Sequence, residues 1–118
     1  MEQFNKLSFS IRQWPSSMAE NITVDFDEES IEVSSAGNTL ALSCNNGVFS
    51  NFARAIRKCH VEKWSSMDAP VLEGTVWSLE LYSNDRQINS CQGIDRFPPR
   101  WTEFMKIVTP ALRKLNAF

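Results

Sequence analysis

Leu7, Phe9 and Ile11 alternate with Ser8, Ser10 and Arg12, the two-residue period of a strand with one buried and one solvated face. Trp14-Pro15-Ser16-Ser17 interrupts the pattern, because proline cannot donate to a ladder and sets a turn. A second alternation follows in Ile22, Val24 and Phe26, with Thr23, Asp25 and Asp27 on the opposite face. Beyond Asp27-Glu28-Glu29 come Ile31 and Val33; beyond Ser35-Ala36-Gly37-Asn38 come Leu40, Leu42 and Cys44. The Gly-Asn loop between the last two runs favours a hairpin. The first part of the chain therefore predicts four antiparallel strands in a meander.

The period changes at Asn45-Asn46-Gly47, where either asparagine suits a helix N-cap. Val48, Phe49, Phe52, Ala53 and Ile56 recur at three- and four-residue spacing, which predicts a helix from Gly47 to Trp64. Ser65 to Glu73 reads as a loop containing Pro70. Val76 to Tyr82 is a strong strand with Trp77, Leu79 and Leu81 on one face, followed by a turn at Ser83-Asn84-Asp85-Arg86. The return, Gln87 to Gln92, is poor in apolar residues, so it is either an edge strand or packs on something other than the core. Gly93 suits a bulge or a strand end.

Phe97-Pro98-Pro99 then leads into a second helix striped by Trp101, Phe104, Met105 and Val108, with a proline at its first position. Pro110 is expected to kink or end that helix, with Ala111 to Leu115 as a further turn. The order β-β-β-β-α-β-β-α predicts an α+β domain over residues 1–118, an antiparallel sheet of about six strands with two helices on one face. That face takes Leu7, Phe9, Ile22, Val24, Phe26, Leu40, Leu42, Trp77, Leu79 and Leu81.

Composition changes this picture little. A chain of 118 residues with 42% hydrophobic and 22% charged positions builds one globular core and is not disordered. No apolar run approaches the ~18 residues of a membrane span. The N-terminal Met1-Glu2-Gln3-Phe4-Asn5-Lys6 lacks the layout of a secretory signal, which implies a cytoplasmic protein. Three cysteines, Cys44, Cys59 and Cys91, are odd in number and widely spaced, arguing for buried thiols over a disulfide framework.

Charge is more informative. Residues 1–46 hold two basic and seven acidic side chains, a balance of −5, whereas the remainder holds ten basic and seven acidic, +3. Such asymmetry bears on partners more than on fold. Asp25, Asp27, Glu28, Glu29 and Glu32 form an acidic corner; Asp25 and Asp27 share a strand face, about 7 Å apart along the backbone. A solvated hairpin tip explains them, and so does a surface meeting a basic partner. Their spacing does not match a calcium loop.

No chemical motif stands beside this corner. His60 is the one histidine, and its neighbour Cys59 lies about 100° away around a helix, so the two cannot act together as nucleophile and base. A histidine at a helix C-terminus satisfying the last carbonyls is the simpler reading. Cys44, Cys59, His60 and Cys91 lack the paired spacing of a zinc site. Gly37, Gly47, Gly74 and Gly93 are scattered, so no phosphate loop forms. Arg54, Arg57, Lys58 and Lys63 make a modest basic stripe, but a pI near 5.4 argues against a nucleic-acid partner. Of four tryptophans, Trp77 and Trp101 fit the apolar faces. Trp14 and Trp64 fall at element ends, where partial exposure would make them binding anchors.

Glu73-Gly74-Thr75-Val76-Trp77-Ser78-Leu79, Cys91-Gln92-Gly93 and Phe97-Pro98-Pro99-Arg100-Trp101-Thr102-Glu103-Phe104 together resemble a layout of small uncharacterised bacterial proteins. In size, charge and architecture the whole chain resembles the immunity proteins of bacterial contact-dependent growth-inhibition systems. That resemblance implies a cytoplasmic, non-enzymatic protein, without cofactor, that neutralises a toxic enzyme such as a nuclease. The expected partner surface is Asp25, Asp27, Glu28, Glu29 and Glu32, with Trp14 or Trp64 as apolar anchor. The competing expectations are a small-molecule or peptide-binding module rimmed by Tyr82, Asn89, Ser90 and Gln92, or a subunit of a larger bacterial or phage assembly.

Overall fold

The structure, a computed structural model, describes residues 3–14, 18–35, 37–42, 47–67 and 74–115, with only the backbone at Trp14 and Leu115. Cys44, the capping candidates Asn45 and Asn46, Pro15 and Pro70 lie outside the described residues, as does the Trp14 side chain.

The alternating segments form β1 (Lys6–Trp14), β2 (Ala19–Asp25), β3 (Ser30–Ser35), β4 (Asn38–Leu42), β5 (Gly74–Ser83) and β6 (Arg86–Ile94). They make one antiparallel sheet in the order β4-β3-β2-β1-β5-β6, as expected of an α+β fold. β2 and β3 are joined by a four-residue turn at 26–29, and β5 and β6 by a two-residue turn at 84–85. The β4-to-β5 crossover holds α1 (Val48–Lys58), and α2 (Trp101–Leu115) follows β6. Register aligns the apolar faces: Phe9 stands opposite Ile22 on one side and Leu79 on the other, and Leu7 opposite Val24 and Leu81. All six of these side chains are fully buried.

Both helices cover that face. Phe104 of α2 meets Phe9 edge-on at 4.9 Å, and Phe49 of α1 meets Phe26 at 6.1 Å. Between α1 and the sheet, the Arg57 guanidinium sits 4.7 Å from the Phe4 ring and 4.4 Å from the Phe26 ring, and donates to the Phe4 carbonyl at 3.0 Å. Burial lowers its pKa, opposed by the carboxylates of Glu62 and Asp27. Arginine stays charged in such a place, and its flat cation spreads over both ring faces.

The first helix is shorter than the periodicity predicts. It ends at Lys58, His60 turns left-handed at φ 53°, and a single 3-10 turn follows at Val61–Lys63. The reason is burial. Continuing the helix at 100° per residue would carry Val61 about 140° around from Ile56, toward solvent. The break turns Val61 inward instead, and both Val61 and Trp64 are buried. At the other end Gly47, not an asparagine, occupies the N-cap, and Val48 is 53% exposed instead of joining the apolar stripe.

Trp64 is only 4% exposed, which corrects its expected role as a surface anchor. Its ring centroid lies 5.7 Å from Trp77 and 5.9 Å from Trp101, and those two lie 5.6 Å apart. The Trp64 indole donates to the Pro99 carbonyl at 3.0 Å, and the Trp77 indole to the Arg96 carbonyl at 2.7 Å. Buried indoles need such partners.

β6 is an edge strand, and residues 65–67 lie along it. Met67 donates to the Gln92 carbonyl at 2.8 Å, Gln92 donates to the Ser66 hydroxyl at 3.1 Å, and the Asn89 amide donates to the Trp64 carbonyl at 3.2 Å. The sheet irregularity falls at Leu81/Tyr82, not at Gly93. Pro98 and Pro99 precede α2 without occupying its first position, and α2 continues through Pro110. Pro110 and Lys106, whose carbonyl loses its helical donor, are both exposed, so water can satisfy that carbonyl.

Gly93 stands opposite Trp77 because no other residue fits there. A β-carbon at this position would lie 2.6 Å from the Trp77 indole nitrogen. Gly93→Ala is expected to destabilise the fold by about 1–3 kcal/mol, read as a lower midpoint in chemical denaturation. A midpoint equal to that of the parent would remove this contact from the account.

Candidate interaction surface

Two hairpin turns and the residue preceding β1 meet at one end of the sheet. β2 stops at Asp25, whose carboxylate accepts from the backbone N–H of Asp27 at 3.1 Å and of Glu28 at 2.9 Å. This local closure is what short acidic side chains do at turns. It also corrects the expectation that Asp25 and Asp27 share a strand face, since Asp27 already belongs to the turn. The β5–β6 turn places Asn84 and Asp85 at positive φ, 50° and 69°, the requirement of a tight two-residue hairpin.

Asn5 ties the two turns together. Its amide donates to Asp27 Oδ2 at 2.8 Å and to Asn84 Oδ1 at 3.2 Å, and its oxygen accepts from the Asn84 backbone N–H at 3.2 Å. Its backbone donates to the Tyr82 carbonyl and accepts from the Phe26 N–H. The result is a shallow hollow of about 260 Å³ in which Asp25, Asp27, Glu28 and Asp85 face Lys6. Glu29 is exposed beside it at positive φ.

Four of the five expected acidic residues thus belong to this corner, and Glu32 does not. It stands within β3 opposite Thr23 and Ala41, on the sheet face away from the helices. Asp85 and Asn5 escaped the sequence reading. The turn containing Asp85 was legible, but not that β5 would insert beside β1 and bring it next to Asp27.

On the same helix-free face the Tyr82 hydroxyl donates to the Glu80 carboxylate, with Lys6 and Ser8 opposite in β1. The carboxylate's grip on that proton, with a smaller contribution from burial, raises the Tyr82 pKa. Ser90 and Gln92 alternate with buried Cys91 and face the same way, whereas Asn89 bonds Trp64 on the helix side. Those four residues therefore do not share one face of the sheet. Trp64, Trp77 and Trp101 pack together between β5 and α2.

Elsewhere the reactive groups are separated. Cys59 is buried and its thiol lies 3.5 Å from the Ala55 carbonyl, while His60 is exposed with Nδ1 3.4 Å from Glu62 Oε1. Burial raises the pKa of the Cys59 and Cys91 thiols, with Glu103 adding to the effect at Cys59. Among the described residues no group of three or more His, Cys, Asp or Glu side chains is placed to hold a metal ion. No helix among them is long and apolar enough to cross a membrane.

Comparison with known protein families finds no family model that matches the chain, and comparison with curated proteins finds no match.

Asn5→Ala removes three side-chain hydrogen bonds at a partly exposed site and is expected to cost about 1–2 kcal/mol in denaturant unfolding. A loss below a few tenths would show that Asn5 does not set the corner. Tyr82 is the one tyrosine in the chain, so its ionisation can be followed by ultraviolet absorbance. Its midpoint is expected above that of free tyrosine, and Glu80→Gln should bring it down. Because the folded value is the higher one, the linked stability is complete below the ordinary tyrosine pKa. It is lost as pH rises through the folded value.

Proposed function

We propose that this chain is a non-enzymatic binding protein that captures a basic protein through its acidic corner, in the manner of an immunity protein neutralising a toxic enzyme such as a nuclease. The observation that carries the reading is the gathering of Asp25, Asp27, Glu28, Glu29 and Asp85 on two turns fixed by Asn5. The Asp25 and Asp27 carboxylates, already hydrogen-bonded at the corner, lose little freedom on binding, and the concentrated negative charge around them speeds encounter with a positive surface. Trp64 drops out of the partner surface because it is buried, so recognition at this corner is electrostatic. Inhibition would follow from covering the partner's active site, with no bond made or broken by this chain.

The test is rescue of growth. The product of the neighbouring upstream reading frame is expressed alone and together with this chain, and the purified pair is then titrated. Rescue, a complex whose association slows as salt rises, and at least about tenfold weaker capture by Glu28→Lys/Glu29→Lys are expected. Both residues are exposed, so the variant's melting temperature should match that of the parent. Unchanged affinity in the variant would remove the corner from recognition. Absence of rescue, or catalytic turnover by this chain that His60→Ala abolishes, would overturn the proposal.

A further inference from the structure

The opposite end of the molecule carries a surface of different chemistry, independent of the acidic corner. Two grooves, of about 450 and 430 Å³, run beside α2 and share Met105, Thr109 and Arg113 as a common ridge. Ile11, Met18 and Leu112 contribute apolar lining to the first, and Trp101 and Pro110 to the second. Among the described residues, Met18 (59%) and Phe97 (41%) are two of the three large apolar side chains left exposed. Met18 lines the first groove, and Phe97 stacks on Trp101 at 4.8 Å. Methionine and aromatic side chains beside arginine are the composition of binding hot spots, and methionine reshapes itself to a partner.

Charge selects the occupant. Lys106 and Arg113 are exposed along the ridge, and Arg12 lines the first groove while making contacts of its own within the protein. Among the described residues the one acidic side chain lining either groove is Glu20. We infer that this ridge docks an acidic peptide segment of another protein, one whose apolar side chains enter the two grooves while its carboxylates meet Lys106 and Arg113.

The probe is a short synthetic peptide alternating glutamate and leucine, with its lysine–leucine counterpart as control, titrated into the full chain and followed through its backbone amide resonances. The glutamate peptide is expected to shift the amides of Met18, Met105 and Thr109, and the lysine peptide to leave them in place. Lys106→Glu/Arg113→Glu, both solvent-exposed, should weaken binding by about tenfold or more at an unchanged melting temperature. Lys58→Glu, an exposed charge on α1, should have no effect. The inference fails if the glutamate peptide leaves these amides unmoved, if the two peptides bind equally, or if the double variant binds as tightly as the parent. It also fails if the same amides shift with protein concentration alone while light scattering reports a dimer, since the occupant would then be a second copy.

Discussion

Three indoles from three separate parts of the chain meet at the centre of this fold, and most other features follow from housing them. Trp77 stands on a central strand, Trp101 opens the second helix, and Trp64 arrives from the crossover. Edge-to-face and tilted aromatic pairs of this kind add roughly 0.5–1.5 kcal/mol each beyond the area they bury. Their polar ends are as demanding as their faces. Two indole N–H groups buried in an apolar core each require an acceptor, and the carbonyls of Arg96 and Pro99 supply them. The connection from β6 to α2 is thereby pinned at two points, which fixes where α2 begins. Gly93 gives up its side chain so that Trp77 can lie flat against β6.

The same demand explains the crossover. A regular helix would have turned Val61 outward, so the chain accepts a left-handed residue at His60 and a single tight turn before Trp64. Arg57 secures the other flank, its guanidinium held between Phe4 and Phe26 and bonded to the Phe4 carbonyl. Because Phe4 and Asn5 are adjacent, the clamp that fastens α1 also positions the residue that joins the two acidic turns. Core and surface are therefore coupled: the corner is held by groups whose backbone is committed to the interior.

The surface is divided by charge. One end presents carboxylates on short, internally bonded turns; elsewhere α2 presents the cations Lys106 and Arg113, with exposed Met18 beside the same groove as Arg113. Between them the helix-free face of the sheet carries mainly serine, threonine and single charges, with Tyr82 and Glu80 bonded to each other. Most of the apolar stripes were legible from spacing alone, since strand and helix periods differ. Trp64 and Val48 were misplaced for a common reason: periodicity gives a phase around an element but not where the element stops or which way its end faces. The acidic cluster was legible as composition. Glu32 leaves it because it stands within β3, but the arrival of Asp85 depends on β5 pairing with β1 across a separation of about seventy residues in the chain, which no local pattern encodes.

Local sequence by itself determined the six strands, the two helices and the side of each that avoids water, because alternation and helical spacing act over a few neighbouring residues. It also determined the excess of negative charge in the first part of the chain. Only the tertiary structure decided that β1 lies between β2 and β5, that three tryptophans share one core, and that two distant turns meet at Asn5. Those outcomes rest on contacts between residues far apart in the chain, where shape and hydrogen-bond satisfaction in the interior choose among partners that the local pattern leaves equivalent.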